Sequence, residues 1–163
     1  MKYTEHIEID LPRGEVVRLI SDFTTIPKWL RGLVSHEPMN GQHGEVGTVS
    51  RIVFDTGGQT MEATEKVVRQ DPKDLNDLKS SETVYYDREL QAEGMWSISK
   101  DRFNELEPDR TLWESDSEYR FDSAFMKLLA PLMKGSFRKQ QRMHMGDFKA
   151  FAERGVDVRD SQG

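Results

Sequence analysis

The sequence predicts an α+β domain in which an antiparallel meander of strands is followed by one long C-terminal helix. Three observations carry that reading. Between Leu33 and Phe121, breakers recur at Asn40-Gly41, Gly44, Gly57-Gly58, Asp71-Pro72, Glu93-Gly94 and Pro108-Asp109. The runs between them show no helical period, as expected of sequential strands joined by tight turns. From Ser123 to about Arg154, by contrast, Met126, Leu129, Met133, Phe137, Gln140, His144, Phe148 and Phe151 recur three or four residues apart, which sets them on one stripe of a helix. Finally, 163 residues without an internal repeat or long linker match the size of one domain. Residues 1–154 are expected to form it, and the polar residues 155–163 a frayed tail.

Each element has its own local reason. Glu5, Ile7, Ile9 and Leu11 alternate with His6, Glu8 and Asp10, which predicts a half-buried opening strand. Asp10 is placed to cap the next helix, with Pro12 in its first turn, where a missing N–H is harmless. Val16, Leu19, Ile20 and Phe23 then mark an amphipathic helix over Pro12–Asp22. A second short helix is expected at Thr24–Arg31, ended by Gly32. Strands follow at Gly47–Asp55, Gln59–Arg69, Thr83–Leu90, Met95–Leu106 and Thr111–Phe121. The last alternates most cleanly: Thr111, Trp113, Ser115, Ser117, Tyr119 and Phe121 form an amphipathic face, and Leu112, Glu114, Asp116, Glu118 and Arg120 a charged one. Which face of Met95–Leu106 turns inward stays open, because both mix apolar and charged groups. The closing helix spans about 45 Å for roughly 30 residues, and Pro131 is expected to kink its start.

Composition narrows the function classes. The apolar residues make up 36% and the charged ones 32%, the latter above the usual ~25%, so a modest core carries much wet surface. The net charge is −6, which argues against nucleic-acid binding, since phosphate backbones reward clustered Lys and Arg. No run of apolar residues is long enough to span a membrane, and stable insertion is not expected. Zero cysteines remove thiol catalysis, disulfides and sulfur-ligated zinc. With a start that alternates charge and hydrophobe, this points to a cytoplasmic location. The charge is uneven: residues 122–154 hold seven basic and three acidic residues. A basic helix over an acidic body is the plain reading, and a membrane-surface helix or a protein-docking face the sharper ones.

The order of strand, two short helices, meander and long helix resembles the START-like helix-grip fold of the SRPBCC superfamily. The residues that carry the resemblance are Pro12-Arg13-Gly14-Glu15-Val16-Val17, Ile26-Pro27-Lys28-Trp29-Leu30, the turn Gly41–Gly47, and Phe125–Met133 with Phe137-Arg138-Lys139-Gln140 and Asp147-Phe148-Lys149. The chain looks most like the bacterial branch described as polyketide cyclase/dehydrase and lipid transport. The resemblance implies a curved sheet of about six or seven strands gripping the helix, with a cavity between them for a hydrophobic or amphipathic small molecule. It supplies no shared catalytic residue. A Met- and Phe-rich helix face suits such a cavity, because Met repacks around irregular shapes, although the same stripe also suits ordinary core.

The expected cavity residues are Trp29, Trp96, Trp113, Tyr119, Met133, Phe137, His144 and Phe148, with Trp29 at the mouth. His144 is the first candidate for proton transfer, with Tyr119 or Glu114 as partner and Asp116 or Glu118 as further options; a packed core histidine is the alternative. Arg51, Glu62, Glu65, Lys100 and Arg102 lie within strands and either enter the cavity or solvate the sheet. His36, His43, Glu37 and Glu45 bracket a turn, but their spacing matches no zinc motif, and no metal or cofactor is expected. Gly41, Gly44 and Gly47 read as turn glycines rather than a phosphate loop, since no helix follows. The function expected is carriage or sensing of a hydrophobic ligand, the alternatives being a cyclase/dehydratase-type enzyme and a protein-interaction module.

Overall fold

In the computed structural model, which describes residues 1–42 and 44–160, the chain runs β1 (Lys2–Ile9), α1 (Arg13–Ser21), α2 (Ile26–Trp29), β2 (Leu33–Pro38) and β3 (Val49–Asp55). It continues through β4 (Thr60–Asp71), β5 (Val84–Ala92), β6 (Met95–Glu107), β7 (Arg110–Phe121) and α3 (Ala124–Arg154). The strands form one seven-stranded sheet in the order β1-β7-β6-β5-β4-β3-β2. Every pairing is antiparallel, so β2 to β7 are a simple meander and β1 closes onto β7, with Ile7 opposite Trp113. This is the α+β arrangement that the turn spacing and the helical stripe predict.

The inward faces follow the two-residue period of a strand. On β7 the odd positions Thr111, Trp113, Ser115 and Ser117 are buried and Arg120 is exposed. The register of β6 against β7 puts Phe103 opposite Trp113 and Ser97 opposite Tyr119, so the odd face of β6 turns inward. That resolves the strand whose pattern is ambiguous in sequence. α3 packs over the same inner face, where Phe148 meets Trp113 edge-on at 5.5 Å between ring centroids. Ser123 Oγ accepts from the Met126 N–H at its start, and Gly155 closes its end with φ 69°, an αL cap that glycine adopts at no steric cost.

Two local expectations, the Asp10 cap and the turn over residues 33–38, differ from what is observed. Asp10 does not cap α1: the helix starts at Arg13 with Pro12 as N-cap, which leaves Asp10 too far from the first free N–H groups. β2 has no strand-like alternation (its burial runs irregularly) and reads as part of a turn, yet it pairs with β3 across a register shift between Leu33 and Ser35. α3 runs on through Pro131 as one helix. The tail turns back on the body after Gly155: Val158 is buried and its N–H donates to the Lys28 carbonyl. Residues 161–163 lie outside the described residues.

A charge clamp ties α3 to the sheet edge. Glu5 on β1 is buried and accepts from Arg138 Nε at 2.6 Å and Arg142 Nε at 2.9 Å, one on each carboxylate oxygen. Burial works to raise the Glu5 carboxyl, but hydrogen bonds from Arg142 and Arg138 outweigh it and hold it below the ordinary carboxylate range. A depressed acid contributes stability that is present above its unfolded value, about 4.3, and is lost as pH falls through the folded one. Glu5→Gln is therefore expected to cost about 1–3 kcal/mol at neutral pH. Thermal melts should show the gap between wild type and variant narrowing at pH 3; a constant gap contradicts the clamp.

Candidate ligand cavity

The inner face of the sheet is filled at one end and hollow at the other. At the filled end Ile9, Val84, Tyr86, Phe103 and Trp113 meet Val16, Val17 and Ile20 of α1, Trp29 of α2, and Met145 and Phe148 of α3. Large buried side chains fill that end, and such interiors pack about as densely as organic crystals. Towards the other end of the same strands the side chains shrink or withdraw: β6 offers Ser97 and Ser99 where it offers Phe103 further along. The result is a cavity of about 700 Å³ between the sheet and residues 137–144 of α3. That is within the range of small-molecule sites, about 300–1,000 Å³.

The wall of the cavity is two-sided in character. Leu30, Phe54, Met61, Leu90, Met95, Phe137 and Met143 supply apolar surface, and Tyr3, Glu65, Arg88, Ser97, Ser99, Tyr119, Gln140, Gln141 and His144 supply polar groups. Asp55, Thr56, Gly57, Gln140 and Met143 line it and are exposed, which locates its mouth between the β3–β4 turn and α3. Leu30, Arg31 and Gly32 form another part of the rim. Gly32 sits at φ 88°, and a Cβ there would approach the Asp55 carbonyl oxygen to 3.1 Å, so only glycine lets the chain turn from α2 into β2 this close to the rim. Arg31 reaches across to α3 with Nε 3.2 Å and Nη2 3.3 Å from the Asp147 carboxylate, tying the two sides together.

Arg88 is the strongest charge in the wall. It projects from the inward face of β5 and donates from Nη2 to Asp101 Oδ2 at 2.9 Å, and Asp101 is wholly buried behind it. Burial opposes the Arg88 charge, but the carboxylates of Asp101 and Glu65 overcome it and keep the guanidinium protonated. Arg88 Nε and Asp101 Oδ1 are buried without a hydrogen-bond partner. His144 is in the opposite state. Burial favours its neutral form, only partly offset by Asp147, so its pKa lies below the ordinary histidine value, and Nδ1 has no partner. Tyr119 is pushed upward by burial and keeps its hydroxyl proton; its ring lies 4.8 Å from Phe137 and stacks near Tyr3 at 6.1 Å.

Of the residues singled out in the sequence, Tyr119, Phe137 and His144 stand together on the cavity wall. Trp29, Trp113 and Phe148 sit in the filled end instead. Trp29 is edge-on to Phe148 at 5.1 Å and Trp113 stacks on Phe103 at 5.8 Å, so Trp29 is a packing anchor one residue away from the rim. Trp96 lies at an even position of β6, on the outer face, under the Arg120 guanidinium at 4.6 Å. Met133 is half-buried on α3, before the segment that borders the cavity. Glu114 is on the outer face of β7 with Arg102 Nη2 3.7 Å away, and Asp116 is bonded there to Arg102 and Thr4. Neither shares a space with His144.

Glu65 is the one strand charge of the five considered that enters the wall; Arg51 and Glu62 pair with each other on exposed surface. His36 is 3.6 Å from Glu65, and His43 lies outside the described residues. Among the described residues no three acidic or histidine side chains gather as a metal site. Arg88, Ser97 and Ser99 escape the sequence reading. The signal for Arg88 is a lone cation on the face that β5 otherwise fills with Val84, Tyr86, Leu90 and Ala92.

No protein-family model matches the chain, and no curated protein resembles it by sequence. Solved structures do. The protein TTHA0849 from Thermus thermophilus superimposes with a TM-score of 0.70 at 15% identity, covering 93% of this chain and 97% of that one. Ara h 8.0201 gives 0.69 at 14%, with 93% and 97% covered. The Zhui aromatase/cyclase from Streptomyces sp. R1128 gives 0.68 at 13%, with 94% of each chain covered. At these identities the likeness is one of architecture, and with the seven-stranded sheet and its long closing helix it establishes that this chain has the START-like helix-grip fold.

Proposed function

We propose that the protein binds an amphipathic small molecule, for carriage or sensing, in the cavity between the sheet and α3. The observation that carries this reading is the cavity itself: about 700 Å³ of space in a chain that packs the other end of the same sheet tightly. Its wall asks for a ligand of matching character. A hydrocarbon body fits against Phe54, Met61, Leu90, Met95 and Phe137, and the three methionines of the wall, Met61, Met95 and Met143, adapt to its outline. A polar end is favoured because Arg88, Ser97, Ser99, Gln140, Gln141 and His144 also line the space, and polar groups that face only hydrocarbon are costly. A hydroxyl both donates and accepts, so a long-chain alcohol is a better match than the alkane of equal length. Displacement of a fluorescent amphipathic probe such as anilinonaphthalene sulfonate tests this. Decanol should displace it more tightly than decane; no uptake of any probe contradicts the reading.

A second reading has one observation in its favour. His144, neutral and half-buried, lines the same cavity as the protonated Tyr119 hydroxyl, a base and an acid in one wall. Together with the fold seen in an aromatase/cyclase, this supports a cyclase/dehydratase-type reaction, in which the wall folds a flexible substrate and His144 moves a proton. His144→Ala is then expected to lower turnover of a cyclisable polyketide mimic by about 100-fold or more while probe affinity changes little. Equal loss of binding and turnover would make His144 part of the binding wall only.

A further inference from the structure

The first half of α3 carries a surface that the cavity does not explain. Phe125, Leu128 and Leu132 are exposed at 67%, 76% and 81%, the three highest values among the exposed large hydrophobics described. They fall at i, i+3 and i+7, on one outward stripe, and Met143, at the cavity mouth, continues it after Lys139. Across residues 124–146 there are five basic side chains and no acidic one, on a chain whose net charge is −6. Arg138 and Arg142 are held by Glu5. Lys127, Lys134 and Lys139 make no ion pair among the described residues.

We infer that this stripe docks the protein on an anionic lipid bilayer, with Phe125, Leu128 and Leu132 entering the interface, Lys139 on the same stripe meeting lipid phosphates and carboxylates, and Lys127 and Lys134 on the far side of the helix adding to its positive charge. The surface is a single convex helix without a groove, and its three apolar side chains fall well short of the roughly 800 Å² per partner of a stable protein interface. A second copy of the chain is also a poor complement. On its outer sheet face Glu8, Asp116 and Glu118 already pair with Arg110, Arg102 and Arg120. A bilayer suits both parts, since apolar side chains enter the acyl boundary while Lys139 reaches the headgroups on its flexible stem and the net positive charge of residues 124–146 is drawn to anionic lipid. Docking here holds the mouth at Gln140 and Met143 near the membrane, where an amphipathic ligand partitions. The inference does not depend on what the cavity binds.

Co-sedimentation of the full chain with phosphatidylcholine vesicles, with and without phosphatidylserine, is the test. The protein should pellet with the phosphatidylserine vesicles, and raising the salt should release it, as screening weakens exposed charges. Lys127→Gln/Lys134→Gln/Lys139→Gln and, separately, Leu128→Ser/Leu132→Ser should each weaken binding at least about tenfold, with unchanged circular dichroism because all five positions face solvent. Equal binding to both vesicle types, or binding that survives both variants, overturns the inference. So does a wild type that ignores vesicles and instead self-associates in sedimentation velocity through Leu128 and Leu132.

Discussion

Ser99→Trp is expected to abolish uptake of the fluorescent probe while leaving the protein folded and as stable as the wild type. The position decides both halves of that outcome. Ser99 is on the inward face of β6, opposite Ser117 of β7, and it lines the cavity. A larger side chain in a filled core costs typically about 1–3 kcal/mol through strain; an indole in empty space meets no such resistance and adds buried apolar area. Probe affinity should fall by about 100-fold or more, because an occupied site denies the ligand nearly all of its contact. The control is Ile52→Trp, at a buried position of β3, which should destabilise the fold. A Ser99→Trp protein that binds like the wild type would show that ligands enter elsewhere.

The second large effect is on stability. Arg88→Met leaves Asp101, which is 0% exposed, as a buried carboxylate without its cation. Breaking a buried pair in this way costs about 3–5 kcal/mol. Arg88→Met/Asp101→Leu removes both charges and should recover most of the loss, since replacing a whole buried pair with apolar groups is often close to neutral. Urea denaturation of the single and double variants measures this directly. The double variant also separates structure from recognition: it should fold, yet prefer decanol over decane less than the wild type does. A single variant as stable as wild type would mean that Asp101 is not committed to Arg88.

What the sequence discloses depends on whether a residue's role is periodic. β7 and α3 are legible because their alternation and their three-to-four spacing extend over many residues. β2 is not, because a short irregular edge strand carrying His36, Glu37 and Pro38 has the composition of a turn and acquires strand character from pairing with β3. The cavity is half legible for a related reason. Tyr119, Phe137 and His144 belong to faces whose direction can be read from their own element. Trp29, Trp113 and Phe148 belong to similar faces, and nothing local distinguishes the filled end of the sheet from the hollow one. That distinction comes from where α1 and α2 pack, between strands distant in sequence. Arg88 is hidden more deeply. A charged residue on a strand reads as surface, and the bulge between Val67 and Arg69 in the facing strand, together with the buried Asp87 beside it, blurs the alternation of β5. The lone-cation signal on the face of Val84, Tyr86 and Leu90 is weak by itself, and the buried Asp101 across the β5–β6 ladder, with the place of Arg88 in the cavity wall, makes it plain.

The hollow end also accounts for the composition. A sheet that lines a space needs less hydrophobic bulk than one that fills it, and Ser97, Ser99, Ser115 and Ser117 occupy inward positions where a solid core would carry larger apolar residues. The central claim is that this space is a ligand site. A crystal structure of the protein soaked with decanol tests it most directly. The account predicts density for one molecule between β6 and α3, its chain against Met61, Leu90 and Phe137 and its hydroxyl within hydrogen-bonding distance of Arg88 or His144. Soaked crystals with the cavity closed by inward movement of α3, or with decanol only on the outer surface, would contradict it.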